Sequence, residues 1–342
     1  MLRKIWIAMS TPFQANFFYP LIERLEGEVE FLITARKHDR TLSILEARGL
    51  PYLEVGHHGG KPVDSKLQAY ADAIMKMTPV IKREAPELLL TERWPEAVRV
   101  AFGLNIPAWT FFYDEREFFV NRMVFPLSSK IFSPTLYRGS ELAHHGVVDL
   151  HDVVWFRGFH ACYLKGHRVE PAMNPFKNLK RPILLVRPEP EAATYFQKEQ
   201  GVLRNAVKTL AEKGDFSIVV MPRTQEQRDT YRKLDLTLFD ATTTEYPVAY
   251  ADVVMGAAET MLMEAFVMGV PTISTVYWEI SKPVALLHRL IPHSTDHDKI
   301  LEYVYSFLEE ERRAKFREES RRTIRAMDNP IDILERELEK TF

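Results

Sequence analysis

The apolar positions fall into short runs separated by stretches of helical period. In the first half KIWIAMS, VEFLITAR, PYLEVG, ELLLTE and PAWTFF read as strands. Between them TPFQANFFYPLIERLE, RTLSILEARG, KLQAYADAIMKMTPVIKREA and EAVRVAFGLN repeat apolar residues at helical spacing, and VVWF near residue 155 closes the half. Strands separated by single helices imply right-handed crossovers and a parallel sheet. The polar stretch KGHRVEPAMNPFKNLKRP, broken by three prolines, reads as a linker over 165–180. The alternation then restarts with PILLVRPEP, GVLRNAVKTLAEKG, FSIVVMPR, QEQRDTYRKL, LTLFD, ADVVMG, a short apolar helix and VPTISTV. The expected architecture is α/β. Two doubly wound parallel-sheet domains, 1–164 and 181–315, face a cleft, and a charged helical tail, 316–342, interrupted by Asn329-Pro330, is free to pack back on the N-terminal domain. Ligands of open α/β sheets bind outside the strand C-termini, which makes that cleft the expected site.

Composition narrows the picture. With 45 basic and 47 acidic residues among 342, the net charge of −2 carries no footprint of a nucleic-acid partner. Cys162 is the lone cysteine, so no intramolecular disulfide forms and a reducing compartment fits. IWIAMS is strand-length and runs into an amphipathic helix, and no window approaches the roughly 18 apolar residues of a membrane span. The expectation is a cytoplasmic protein without an integral membrane segment; oligomeric state has no sequence signal.

The chemistry concentrates in GAAETMLMEAFVMGVP, Gly256 to Pro271. Gly256 permits a tight turn after a strand, while Ala257 and Ala258 keep side chains out of the way of an approaching ligand. The free N–H groups of the following helix favour an anion. Glu264, four residues after Thr260, has apolar or small neighbours and needs a partner. A ribose diol is one such partner, and a neighbouring arginine or backbone group is the other. Glu259 opposes a phosphate here. An acid in a first turn gains about 0.3–1 kcal/mol from the dipole, whereas a unit charge ~5 Å away at a dielectric of ~20 repels it by about 3 kcal/mol. Arg187 and Arg223, at the ends of two other strands, either neutralise phosphate, clamp Glu259, or form ordinary surface pairs.

The order strand, glycine turn, apolar helix with Glu-Ala, Gly-x-Pro and strand resembles the nucleotide domain of glycosyltransferase-B enzymes and UDP-N-acetylglucosamine 2-epimerases. More closely, nearly the whole chain resembles the domain of unknown function 354 family, through STPFQANFFYPLIERL, FLITARKHDRTLSILEARGL, FYDEREFFVNRMVFPLS, LLVRPEPEAATY, VVMPRTQEQ and GAAETMLMEAFVMGVPTIS. The resemblance implies two Rossmann-like, glycosyltransferase-B-like domains, with Glu264 holding a nucleotide ribose and Gly256, Ala257, Ala258, Glu259 and Thr260 holding diphosphate. Relatives commonly carry paired glycines where this chain has Ala258-Glu259. The implied ligand is a nucleotide sugar, UDP-sugar favoured, as substrate and not as a permanently bound cofactor.

On the N-terminal face STPFQANFF lacks a dinucleotide glycine fingerprint. Thr11, Gln14 and Asn16 either present polar groups to the cleft or cap the helix, capping suiting Asn16 best. His58, in the loop GHHGGK, is a candidate general base or an exposed loop histidine. Asp114, just past the strand AWTFF, is the preferred base, with Arg116 as a phosphate or carboxylate partner, and Glu92 holds the analogous place on the preceding strand. Histidines 144, 145, 151, 160 and 167 lie near Cys162 in sequence without a metal-binding arrangement, so no metal is expected. Three functions stay open. One is a glycosyltransferase acting on a glycan or lipid-linked acceptor; another is a nucleotide-sugar 2-epimerase; the third is a noncatalytic nucleotide-sugar-binding protein.

Overall fold

The computed structural model describes residues 3–60, 62–190, 201–240, 243 and 245–342. It divides into two compact units, one comprising Met1–Tyr163 with Asp328–Phe342, the other Leu164–Met327.

The first unit runs β1 (Arg3–Met9), α1 (Pro12–Arg24), β2 (Val29–Lys37), α2 (Thr41–Ala47), β3 (Leu53–His57), α3 (Val63–Glu84), β4 (Leu88–Thr91), α4 (Pro95–Gly103), β5 (Ala108–Phe111), α5 (Phe118–Val124), β6 (Lys130–Pro134), α6 (Gly139–His144) and β7 (Val153–Phe156). Its sheet is parallel in the order β3-β2-β1-β4-β5-β6-β7. Helices cover a sheet of this kind on both faces, so its inner strands read as unbroken apolar runs. Ile5 to Met9 are accordingly all buried, and Trp6 keeps its indole N–H satisfied by donating to Thr34 Oγ1 at 2.8 Å. β6 escapes the hydrophobic pattern because KIFSP is short and ends in proline.

α1 shows how sequence sets a local boundary. Thr11, extended at φ −141°, accepts from Gln14 N, and Pro12 occupies the first helical position, where a missing N–H costs nothing. The cap is therefore Thr11 and not Asn16, which lies inside the helix and accepts from Arg48 Nη2 at 3.0 Å.

The second unit contains β8 (Ile183–Arg187), α7 (Val202–Lys213), β9 (Ser217–Val220), α8 (Gln225–Arg232), β10 (Thr237–Leu238), α9 (Glu245–Tyr250), β11 (Val253–Gly256), α10 (Glu259–Val267), β12 (Thr272–Ser274), α11 (Lys282–Leu287), α12 (His297–Ser306) and α13 (Glu310–Arg325). Its parallel sheet has the order β10-β9-β8-β11-β12. α10 is apolar on nearly every side, burying Met261 to Val267, and each large side chain so buried contributes about 1.5–3 kcal/mol. The helix stops at Gly269, whose φ of +75° suits glycine, with Val270 N donating back to Ala265 O at 2.9 Å.

The stretch 165–180 packs within the second unit: Phe176 meets the ring of Phe239 at 5.3 Å, and Tyr250 Oη donates to Glu170 O at 2.6 Å. The C-terminal segment divides. Phe316 packs edge-on to Phe266, and Ser320 Oγ donates to Phe266 O, which joins α13 to α10. After Met327 the chain joins the first unit, where Asn329 caps α14 (Pro330–Thr341) by accepting from Ile331 N at 2.9 Å. Arg24 then reaches Asp332 at 2.7 Å and Glu335 at 3.0 Å, and Lys130 reaches Glu337 at 2.6 Å.

Candidate functional site

Each sheet reverses its strand order once around its first strand, between β1 and β4 in the first unit and between β8 and β11 in the second. At such a reversal the crossovers leave to opposite faces and open a crevice at the strand C-termini. Gln14 and Glu92 meet at the first reversal, and Arg187 adjoins Gly256 at the second; Asp114 and Arg116 follow the adjoining strand β5, Arg223 follows β9, Asn16 turns to Arg48, and His58 lies beyond β3.

In the second unit Gly256 ends β11 beside Arg187, the last residue of β8. A Cβ at Gly256 would fall 2.3 Å from Arg187 O, 3.1 Å from its C and 3.2 Å from its N. Its φ lies outside the left-handed region, so the glycine answers the close approach of β8 and not, as the turn reading supposed, a conformational demand. Ala257 N donates to Arg187 O at 3.2 Å. Ala258, at φ −99° and ψ 91°, precedes α10 without a side-chain cap bond, and both alanines are buried. Glu259 Oε1 accepts the indole N–H of Trp278 at 2.8 Å. Trp278 had no sequence signal, being 19 residues away. Thr260 is half-buried; Glu264, one turn further, is only 2% exposed. Arg187 is buried and donates through Nη1 to Met221 O at 2.7 Å and Pro222 O at 3.4 Å, bracing β8 against the end of β9. Arg223 donates from Nε to Pro188 O at 3.4 Å, while its backbone N–H donates to Gln227 Oε1 at 2.8 Å. The stretch LLVRPEPEAATY continues past Pro190 into residues 191–195, which lie outside the described residues.

In the first unit the reversal is bridged by side chains. Gln14 accepts from Ser10 N through Oε1 and donates from Nε2 to Glu92 Oε2 at 3.1 Å. Glu92, buried to 4% exposure, also binds Arg93 Nε at 3.1 Å. Arg93 continues to Asp114 O at 3.3 Å and Asn121 Oδ1 at 3.2 Å, and its guanidinium lies 4.6 Å from the Tyr113 ring centroid. Burial disfavours the Arg93 charge, but Tyr113, Glu92, Asp114 and Glu117 outweigh it and raise its pKa. Tyr113 stacks on His160 at 4.3 Å; burial, with Arg93 adding, lowers His160 to about 3 and keeps it neutral. Among the described residues His160 Nδ1 has no hydrogen-bond partner. Arg93, Tyr113 and His160 were missed as site residues. Arg93 alone had a signal, its adjacency to Glu92.

Two base candidates, Asp114 and His58, sit in surroundings that weigh against the role. Asp114 Oδ1 accepts from Arg116 N and Nε, both at 3.0 Å, and Oδ2 from Arg116 Nη2 at 2.8 Å. Burial alone would raise Asp114, yet the Arg116 fork and Arg93 outweigh it and hold its carboxyl below the usual carboxylate range. It is a poor proton acceptor, and Arg116 serves as its clamp. His58 lies on an exposed loop after β3, three strand spacings from β4, about 14 Å across the sheet. Burial, then Arg36 and Lys66, lower its pKa, which weakens it as a base. Lys61, the last residue of GHHGGK, is outside the described residues.

Among the described residues no group of three or more His, Cys, Asp or Glu is placed to hold a metal ion. No described helix is long and apolar enough to cross a membrane.

Two parallel α/β units carrying alternating helices define the fold as glycosyltransferase-B-like. The chain belongs to the family described as "Protein of unknown function (DUF354)", whose pattern matches residues 3–340. An uncharacterized protein of Methanocaldococcus jannaschii is 27% identical over 314 residues, covering 88% of this chain and 90% of its own. Among solved structures, UDP-GlcNAc 2-epimerase from the same organism, in complex with UDP-GlcNAc and UDP, superposes with a TM-score of 0.67 at 13% identity over 90% of this chain and 94% of that one. S. aureus MnaA with UDP gives 0.70 at 15% identity over 96% and 94%. Anabaena HepE in complex with UDP and glucose gives 0.62 at 13% over 100% and 99%. At these identities the likeness is one of fold.

Proposed function

We propose that this chain binds a nucleotide sugar through its second unit, a UDP-sugar being favoured, and transfers the sugar to a glycan or lipid-linked acceptor held by the first. The observation that carries the reading is Glu264, a carboxylate 2% exposed in the apolar helix α10, one turn beyond an entrance lacking a side-chain cap at the β8/β11 reversal. A carboxylate there offers two acceptors to a ribose diol, and the first N–H groups of α10 face the adjoining phosphate. The UDP, UDP-GlcNAc and glucose bound by proteins of the same fold support this ligand class. Glu92, which takes one guanidinium contact where Asp114 takes two, is the candidate proton acceptor toward the acceptor hydroxyl, positioned by Gln14 and Arg93. Arg187, whose backbone pairs with Gly256, and Arg223, which follows β9, are the candidate counter-charges for the departing diphosphate.

A second reading, 2-epimerisation, draws on the UDP-GlcNAc 2-epimerases among the similar structures. A third, binding without turnover, draws on Glu259 at the helix entrance, bonded to Trp278. Product analysis separates the three. Incubation with UDP-GlcNAc alone yields the C2 epimer only on the second reading. Release of UDP that depends on an added glycan acceptor is expected on the first. Binding with neither product supports the third and overturns the first.

A further inference from the structure

The nucleotide reading leaves the GHHGG loop after β3 unused. Arg36 lies near the end of β2, where the register with β3 shifts between Ala35 and Lys37, and His38 follows the strand directly. Arg36 donates from Nε and Nη2 to Ser10 O at 3.3 and 3.2 Å, which takes two of the five donors of a guanidinium. His58 stacks on His38 with ring centroids 4.4 Å apart and planes 16° from parallel. Two glycines bring His58 there. Gly56 and Gly59 have φ of +71° and +76°. A Cβ at Gly59 would meet Ser65 O at 2.8 Å and Lys66 Cα at 2.9 Å, and one at Gly56 would meet Ala73 Cβ at 3.0 Å. The loop is thus drawn tightly onto the first turns of α3, next to Lys66.

The charge around this stack is mostly positive. Burial, then His58 and Arg36, lower His38 to about 4, with Asp39 opposing; burial, Arg36 and Lys66 lower His58. Asp39 has Arg40 Nε 4.0 Å away. Glu96 acts on Arg36 and is itself raised by burial, with Tyr70 of α3 in its field. Arg36, Arg40 and Lys66 therefore face Asp39 and Glu96 before either imidazole takes a proton.

We propose that Arg36, His38, His58 and Lys66 form an anion site of the first unit that takes a phosphoryl group. The guanidinium gives a planar fork and Lys66 a mobile point charge, the pairing that suits a tetrahedral dianion. The bound anion favours the imidazolium, so binding draws proton density onto the stacked pair. The site is independent of Glu264.

The test follows histidine ring resonances and calorimetry of the full chain titrated with inorganic phosphate and, separately, with glucose 1-phosphate. Both ligands are expected to move the His38 and His58 signals, assigned with His38→Gln and His58→Gln, toward imidazolium values at pH 6.5. Lys66→Met, on an exposed turn, is expected to weaken phosphate about tenfold, and Glu264→Ala to leave it unchanged. Arg36→Gln is expected to weaken it further; if loss of the Ser10 contact unfolds that variant, Lys66→Met carries the test alone. Tighter binding of glucose 1-phosphate identifies a phosphosugar as the source, and equal binding the free anion. Unmoved His38 and His58 signals at saturating phosphate, or wild-type affinity in Lys66→Met, would overturn the site.

Discussion

Gly256→Ala separates packing from ligand binding at the end of β11. The added methyl falls 2.3 Å from Arg187 O, with Arg187 C and N at 3.1 and 3.2 Å. All three are backbone atoms of the neighbouring strand, so no side-chain rotation relieves the contact. Restoring ordinary van der Waals separation needs a shift of about 1 Å between β8 and β11. That shift strains the bond from Ala257 N to Arg187 O and the ladder pairing Val253 to Gly256 with Leu184 to Arg187. Overpacking of a tight interior typically costs 1–3 kcal/mol, and a backbone-only clash belongs at about 3 kcal/mol. Urea denaturation monitored by circular dichroism measures it directly. Gly103→Ala, where no atom lies within 4 Å of the added Cβ and φ is not left-handed, is the control and is expected within about 1 kcal/mol of wild type. If Gly256→Ala matched wild-type stability while losing affinity for UDP, the glycine would be there for the ligand and the steric argument would be wrong.

Three further outcomes are expected. His160 is lowered to about 3 from an unfolded value near 6.5, so stability is full above pH 6.5 and declines as pH falls toward 3. His160→Phe should flatten that decline in acid unfolding curves, and an unchanged slope would show that His160 is not its source. Arg116→Met strips the fork from partly buried Asp114 and should destabilise the first unit by about 3 kcal/mol in urea, with Asp114→Asn in the same background recovering part of it; equal stability of Arg116→Met and wild type would refute the clamp. Glu259→Gln removes a negative charge from the α10 entrance and should tighten UDP about tenfold or more by calorimetry while leaving uridine unchanged; unchanged UDP affinity would place the diphosphate elsewhere.

Much of the fold was legible because parallel strands are buried on both faces, so Ile5 to Met9 and Ile183 to Val186 appear as continuous apolar runs between helical periods. Glu264 was legible for a related reason: a carboxylate among Met261, Leu262, Ala265 and Phe266 has no solvent-facing side to occupy. β6 was not, since Lys130–Pro134 is short and closed by proline. Side-chain partnerships were mostly hidden. Asp114 and Arg116 are two apart in a loop, and only the backbone turn decides that the guanidinium folds back on the carboxylate. The Trp278 bond to Glu259 joins an irregular segment to a helix start, and no periodicity encodes it. The join of 328–342 to the first unit depends on pairs such as Arg24 with Asp332, separated by 308 positions. His58 drew attention as a solitary base, whereas its chemistry comes from a stacked partner one strand away.

The central claim is that Glu264 receives the ribose of a nucleotide, and calorimetry of UDP and of pyrophosphate against wild type and Glu264→Ala tests it most directly. Loss of hydrogen bonds to a charged acceptor corresponds to about 1.5–3 kcal/mol. UDP is therefore expected to bind Glu264→Ala roughly 10- to 150-fold more weakly, with pyrophosphate affinity and near-ultraviolet circular dichroism unchanged. Equal UDP affinity in the two proteins would contradict the account.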